Sequence, residues 1–217
     1  VVDERSVALQ RDGALRARRP AVVLAHDDES NRSEMLPLVQ PLHDAGFVVL
    51  VAGLRTSGAT NVGGTFGLRE GADIQAAVEL LRRRPGVDPA RIAVVGIGTG
   101  ANAAILAAEA DPTIAALVLD RPTRNAGRLM IERLVPPKPW LAWLTPLCRW
   151  GFELAYGVDA GDLGLDRHHA LLTSRPVLVF DESTGASPTS QSSGIGRIVA
   201  FLRKHLDDNT QSGVDHK

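Results

Sequence analysis

The chain has 217 residues, of which 44% are hydrophobic and 23% charged, and its formal net charge is −1. These values are typical of one globular domain, and they exclude the strongly basic composition of many nucleic-acid-binding proteins. No apolar run approaches the ~20 residues that a membrane span needs, and the lone Cys148 has no partner for an internal disulfide.

Short apolar runs alternate with helix-like segments along most of the chain. The runs lie at residues 21–25, 47–52, 91–95, 115–119 and 176–180. Their β-branched and leucine content is typical of strands that are buried on both faces of a parallel sheet. Apolar residues at helical spacing predict helices at 33–45, 70–84, 99–110 and 195–206. This order predicts a three-layer α/β/α sandwich with a mostly parallel central sheet.

Residues 125–170 break the alternation and contain all three tryptophans of the chain. We predict that they form a short helical cap over the carboxyl edge of the sheet. A membrane-surface or partner-binding helix is the alternative, although the segment lacks the Lys/Arg-rich face of membrane-surface helices. Residues 1–206 are predicted to form a single domain that includes this cap, and residues 207–217 a flexible tail.

A glycine-dense turn, Gly96-Ile97-Gly98-Thr99-Gly100, joins the third apolar run to the helix after it. A strand–turn–helix of this kind places reactive groups or phosphates at the carboxyl edge of a parallel sheet. In serine hydrolases the turn reads G-x-S-x-G, but here the central residue is Gly98, which has no side chain to attack a carbonyl. The same residues also fit the nucleotide-binding pattern G-x-G-x-x-A, with Asp120 at the end of the next strand as the ribose ligand.

Other segments match a single family pattern. They are VVLAH at 22–26, Leu54-Arg55 with Gly58, Glu70 and Asp73 followed by two alanines, VDPARI at 87–92, and the closing helix at 197–206. From about residue 20 to residue 206 the chain resembles the α/β-hydrolase superfamily, especially bacterial members with a small helical cap. The resemblance implies an α/β-hydrolase fold and a Ser-His-Asp site. It also makes residues 96–100 the nucleophile elbow and His26-Asp27 the oxyanion turn.

The positions that the resemblance assigns to catalysis depart from the family pattern. Gly98 replaces the serine, and Asp27 replaces the glycine of the oxyanion turn. A carboxylate ~4 Å from a developing oxyanion would raise the energy of that oxyanion by about 1–4 kcal/mol. Asp181 or Glu182 stands near the position of the catalytic acid, but no histidine lies between His169 and His205. Only a polar loop follows residue 180, so we predict that the last strand of the family fold is missing.

These departures predict a non-catalytic protein that binds a small molecule or a protein at its cleft or cap, with no cofactor and no metal. One alternative is an active hydrolase with relocated groups, either Ser57 or Cys148 with His168 or His169. A second alternative is a nucleotide binder that uses the Gly96–Ala101 turn. However, that motif usually lies in the first strand–helix unit, and two units precede it here.

Two neighbouring features have structural interpretations. We expect His26 to hold the turn after the first strand through hydrogen bonds. We expect residues 27–31 to form a helix cap and a solvated acidic loop, in preference to a cation site.

Overall fold

Five parallel strands form one sheet in the computed structural model, which describes residues 18–56, 64–123, 139–163, 165–180 and 191–207. The strands are β1 (Arg19–Ala25), β2 (Val48–Ala52), β3 (Val87–Ile97), β4 (Ala116–Asp120) and β5 (Val177–Phe180). Their order across the sheet is β2-β1-β3-β4-β5, and every neighbouring pair is parallel. All five apolar runs are therefore strands, as predicted.

Helices cover both faces of the sheet. They are α1 (Leu36–Asp44), which follows a 3-10 turn at Arg32–Met35, α2 (Glu70–Arg82), α3 (Thr99–Ala110) and α6 (Ser192–Asp207). One apolar cluster joins α2 and α3 to the sheet through residues such as Ile74, Val78 and Ala104. A second cluster joins α1 and α6 to the opposite face through Leu38 and Leu202. The predicted three-layer α/β/α architecture is confirmed.

Strand β3 begins at Val87, four residues before the predicted start at residue 91. The early part pairs with the start of β1, where the register shifts between Arg19 and Ala21. Asp88 and Pro89 lie in this part of the strand. Both residue types are depleted in strands and common in turns, so the local pattern concealed the extension.

The cap segment is helical where the structure describes it. It comprises a 3-10 turn at Pro139–Leu144, α4 (Thr145–Tyr156), two 3-10 turns at Ala160–Asp162 and Leu165–His168, and α5 (His169–Ser174). On α4, the Phe152 ring lies 5.5 Å from the Phe66 ring and 4.8 Å from the Tyr156 ring, measured between centroids. The cap is thereby fixed to the loop that precedes α2.

Residues 181–190, which include Asp181 and Glu182, lie outside the described part of the chain. In that described part, no strand separates β5 from α6. None of the helices in the described ranges has both the length and the apolar character needed to cross a bilayer.

The strand order creates a topological switch point between β1 and β3. From β1 the chain moves to β2 on one side, and from β3 it moves to β4 and β5 on the other. Ligands of open α/β sheets bind at the carboxyl ends of the two strands where the order reverses. Here His26 and Asp27 follow β1, and Gly98 follows β3, so the fold brings these residues together.

Candidate functional site

Gly98 forms a sharp corner between β3 and α3. Its backbone has φ 53° and ψ −116°, a conformation that side-chain-bearing residues rarely adopt. The Gly98 N–H donates to the carbonyl of Asp120 at 2.9 Å, and the Gly98 carbonyl accepts the first helical hydrogen bonds from Ala101 and Asn102. The bend is therefore a sharp strand-to-helix corner with glycine at its apex.

The two flanking glycines of the corner are required by close backbone packing. A Cβ atom on Gly100 would lie 2.4 Å from the carbonyl oxygen of Ala25 at the end of β1. A Cβ atom on Gly96 would lie 2.4 Å from the carbonyl oxygen of Gly100. Glycine at both positions lets the first turn of α3 press directly against the sheet.

The space in front of Gly98 is filled by the side chain of Asp27. A Cβ atom on Gly98 would lie 2.4 Å from both Cγ and Oδ2 of Asp27, and 2.6 Å from Oδ1. No side chain fits on Gly98 while the carboxylate keeps this position. The side chain of Asp27 therefore occupies the volume that a side chain at position 98 would need.

The Asp27 carboxylate is held by two backbone amides. Its Oδ1 accepts the Thr99 N–H at 3.0 Å and the Asp28 N–H at 2.8 Å. Thr99 follows the central residue of the corner, and Asp28 lies in the loop after β1. An oxyanion hole of this fold consists of N–H groups from those two places. The Asp27 carboxylate thus accepts N–H groups from the same two places.

Hydrogen bonding keeps Asp27 ionised. Burial raises the pKa of its carboxyl, but the hydrogen bonds from Asp28 and from the Thr99 N–H outweigh burial and hold the pKa below the ordinary value of 3.8. The N-terminus of α3 also favours a negative charge. A fixed anion therefore occupies the corner at neutral pH.

Residues 27–31 differ in part from the predicted cap and solvated loop. The side chain of Asn31 does cap the following turn, since it accepts the Ser33 N–H at 2.8 Å. Asp27, however, is partly buried and caps α3, which begins 72 residues later in the sequence. The predicted helix cap is therefore also present at Asp27, but the helix that it caps is one that only the tertiary fold brings to this loop.

Two further side chains hold the Asp27 turn. The Nδ1 atom of His26 lies 2.6 Å from the carbonyl oxygen of Asp27, the kind of contact that we expected of this buried histidine. The Glu34 carboxylate accepts the Asp27 N–H at 3.1 Å and the hydroxyl of Ser30. Sequence reasoning missed Glu34, because an acidic residue in a first helical turn is too common to indicate a contact with a preceding loop.

The other candidate residues do not assemble at this corner. Ser57, Asp181 and Glu182 lie outside the described residues. His168 is buried in the cap, where Nε2 lies 2.8 Å from the Asp162 carbonyl oxygen and Nδ1 lies 3.0 Å from the Glu109 carboxylate. Cys148 is a partly exposed free thiol on α4.

Solved structures share this fold at low sequence identity. The esterase Pf2001 of Pyrococcus furiosus is 19% identical with a TM-score of 0.57, covering 87% of this chain and 84% of that one. The α/β-hydrolase GrgF of Penicillium sp. sh18 is 16% identical with a TM-score of 0.57, covering 88% of this chain and 91% of its own. The esterase Est2 of Thermogutta terrifontis is 17% identical with a TM-score of 0.56, covering 92% and 85%.

Sequence relatives give a second comparison. An uncharacterized protein of Mycobacterium tuberculosis, known from strains CDC 1551 and H37Rv, is 39% identical over 123 residues. That match covers 56% of this chain but 41% of the relative, so the chain spans less than half the length of the curated proteins it matches. The model of the dienelactone hydrolase family matches residues 6–126, which is more than half of the chain. With the parallel sheet and the strand-to-helix corner, this match shows that the chain belongs to the dienelactone hydrolase family.

Proposed function

We propose that this chain is a non-catalytic member of its family that serves as a binding domain. One observation carries the proposal. The Asp27 carboxylate accepts the N–H groups of Thr99 and Asp28 and fills the space in front of Gly98. A substrate carbonyl would have to displace an ionised, doubly hydrogen-bonded group to reach the corner.

The chemistry of the family requires a nucleophile, a base and an oxyanion hole. Gly98 offers no nucleophile. The N–H groups that would form the hole already bind the Asp27 carboxylate, and an oxyanion ~4 Å from that charge would be destabilised by about 1–4 kcal/mol. The nearest described imidazole, His26, is fully buried, and its Nδ1 is committed to the Asp27 carbonyl. The corner thus keeps the backbone of an active site without its reacting groups.

The same carboxylate disfavours nucleotide binding. A pyrophosphate would bind at the N-terminus of α3, where the Thr99 N–H is already taken by Asp27. Asp120, which would contact the ribose, is fully buried. The G-x-G-x-x-A spacing is better explained by the close packing of Gly96 and Gly100 against backbone atoms.

An active hydrolase with relocated groups is the second candidate, favoured by the family match and by the esterases among the structural neighbours. The decisive experiment treats wild type, Asp27→Gly and the loop control Glu29→Gly with short activated esters and a fluorophosphonate probe. For all three proteins we expect no ester turnover above that of the unfolded chain. We also expect that intact-mass spectrometry detects no phosphonyl adduct. Asp27→Gly stays inactive because opening the hole supplies no nucleophile.

A stoichiometric adduct on wild type would contradict the proposal. Peptide mapping would then identify the relocated nucleophile, whether at Ser57 or elsewhere. Turnover that appears only in Asp27→Gly, and not in Glu29→Gly, would contradict it too, since Asp27 would then be a removable block on a working site.

A further inference from the structure

The outer face of the cap carries a stripe of exposed apolar side chains. Along α4 and the turn before it, Trp140, Trp143, Leu147, Trp150 and Leu154 are each 58–71% exposed. Their spacing of three and four residues places them on one side of the helix. Phe152, on the opposite side, is buried against Phe66. The cap therefore has one face attached to the domain and one apolar face directed outward; we call the outward face the tryptophan stripe.

The size of the stripe fits an association surface. Its five side chains expose roughly 500–700 Å², given that a whole aromatic side chain contributes about 150–250 Å². Monomeric proteins rarely expose a contiguous apolar patch larger than this. A stable complex buries about 800 Å² per partner, so the stripe with its flanking residues is sufficient for one interface.

The sequence of the stripe is complementary to itself. When two copies of α4 and its preceding turn are placed antiparallel about a two-fold axis between residues 148 and 149, Leu147 faces Trp150 within α4, and Trp143 of the turn faces Leu154. The indoles of Trp143 and Trp150 thus each meet a leucine, whereas a parallel in-register pair would place tryptophan against tryptophan. Self-complementarity of this kind is what a two-fold interface requires.

A glycine within the stripe region supports a helix as the partner. Gly151 lies in the middle of α4, beside Trp150, and glycine is a poor helix former. A Cβ atom on Gly151 would meet nothing within 4 Å, so packing in the described chain does not account for it. A bare backbone beside a large ring provides a depression into which a side chain of a facing helix fits.

The charges on α4 and on the turns beside it disfavour a lipid surface. Residues 139–163 contain one cation, Arg149, and three acidic residues, Glu153, Asp159 and Asp162. Arg149 pairs with Glu153 at 2.7 Å and with Asp159 at 3.3 Å. Helices that lie on membranes present Lys and Arg to the lipid phosphates.

We propose that the tryptophan stripe is the interface between two copies of this chain, paired through antiparallel α4 helices. This pairing is independent of the proposed loss of catalysis, because the stripe and the Gly98 corner have no residue in common. Hydrolysis assays and association assays can therefore fail separately.

A charge-swap experiment tests the pairing. Leu147→Glu and Trp150→Lys each place a charge against an apolar side chain twice in a homodimer, and each is expected to weaken dimerisation at least about 30-fold. In a mixture of the two variants, one contact becomes Glu against Lys and the other stays Trp against Leu. We expect the mixture to form a heterodimer with an affinity within about tenfold of wild type. Sedimentation equilibrium measures the dissociation constants of the two variant homodimers and of the mixed dimer.

The control is Leu36→Glu, a leucine of equal exposure on α1, which should dimerise as wild type does. Unfolding curves of each variant show that the fold is retained. Because all three tryptophans of the chain lie in the stripe, their emission should shift to the blue as wild type associates. Three results would each overturn the proposal. The wild-type chain could stay monomeric at high micromolar concentration, it could bind neutral or anionic vesicles in place of self-association, or the mixture of variants could fail to pair.

Discussion

We expect Gly98→Ala to lower the free energy of unfolding by about 3 kcal/mol, and by about half as much when Asp27 has been replaced by glycine. In wild type the new methyl group would lie 2.4 Å from the Asp27 carboxyl. Asp27 must then leave its position and give up the hydrogen bonds from Thr99 and Asp28. In the Asp27→Gly background only the strain of the positive φ remains.

Chemical denaturation of the four members of this double-mutant cycle measures the coupling between positions 27 and 98. Gly46→Ala is the matched control, because Gly46 also has a positive φ of 97° but nothing within 4 Å of its Cβ position. It should show the cost of backbone strain alone. Equal costs of Gly98→Ala with and without Asp27 would contradict the shared volume that the structure assigns to these two residues.

Gly100→Ala is expected to have the largest effect, a loss of about 3–5 kcal/mol in the free energy of unfolding. The added methyl would lie 2.4 Å from the Ala25 carbonyl oxygen and 2.6 Å from that of His26. These are backbone atoms of β1 and its exit, so relief requires α3 to move away from the sheet. Thermal and urea unfolding measure the loss.

The control substitution for this prediction is expected to raise the free energy of unfolding. Gly196 lies inside α6, and its Cβ position has no neighbour within 4 Å. Gly196→Ala should stabilise the chain by about 0.5–1 kcal/mol, because alanine is the better helix former. If Gly100→Ala were also stabilising, the close packing of α3 on β1 would be wrong.

Much of the fold was predictable from local patterns. A strand buried on both faces has to be continuously apolar, and a helix packed on a sheet has to repeat every three to four residues. The start of β3 was not predictable, because Val87 pairs with Arg19 of β1 only through the tertiary fold, and Asp88 and Pro89 after it are typical of turns. It was likewise not predictable from the sequence that the tryptophan stripe faces away from the domain. Spacing shows which residues share a face, but not which face meets the domain.

The backbone bend at Gly98 was predictable from the sequence, but the side chain that fills the space in front of it was not. The pattern Gly96-Ile97-Gly98-Thr99-Gly100 indicated a strand-to-helix bend without a nucleophile. Sequence reasoning predicted that Asp27 opposes an oxyanion, but it did not predict that its carboxylate accepts the N–H of Thr99, 72 residues away in the chain. That contact depends on the β1–β3 pairing, which only the topology supplies. The roles of Asp181 and Glu182 remain predictions.

The most direct test of the closed corner is a pH titration of backbone amides by nuclear magnetic resonance. Proton shifts of Thr99 and Asp28 would be followed in labelled wild type and in Asp27→Asn, from neutral pH to the lowest pH at which the fold persists. Both wild-type amides should titrate together, with a midpoint below 3.8, and this transition should vanish in Asp27→Asn. If the two amides did not respond to the ionisation of Asp27, or if its carboxyl titrated at or above 3.8, the result would contradict a carboxylate held by these two N–H groups.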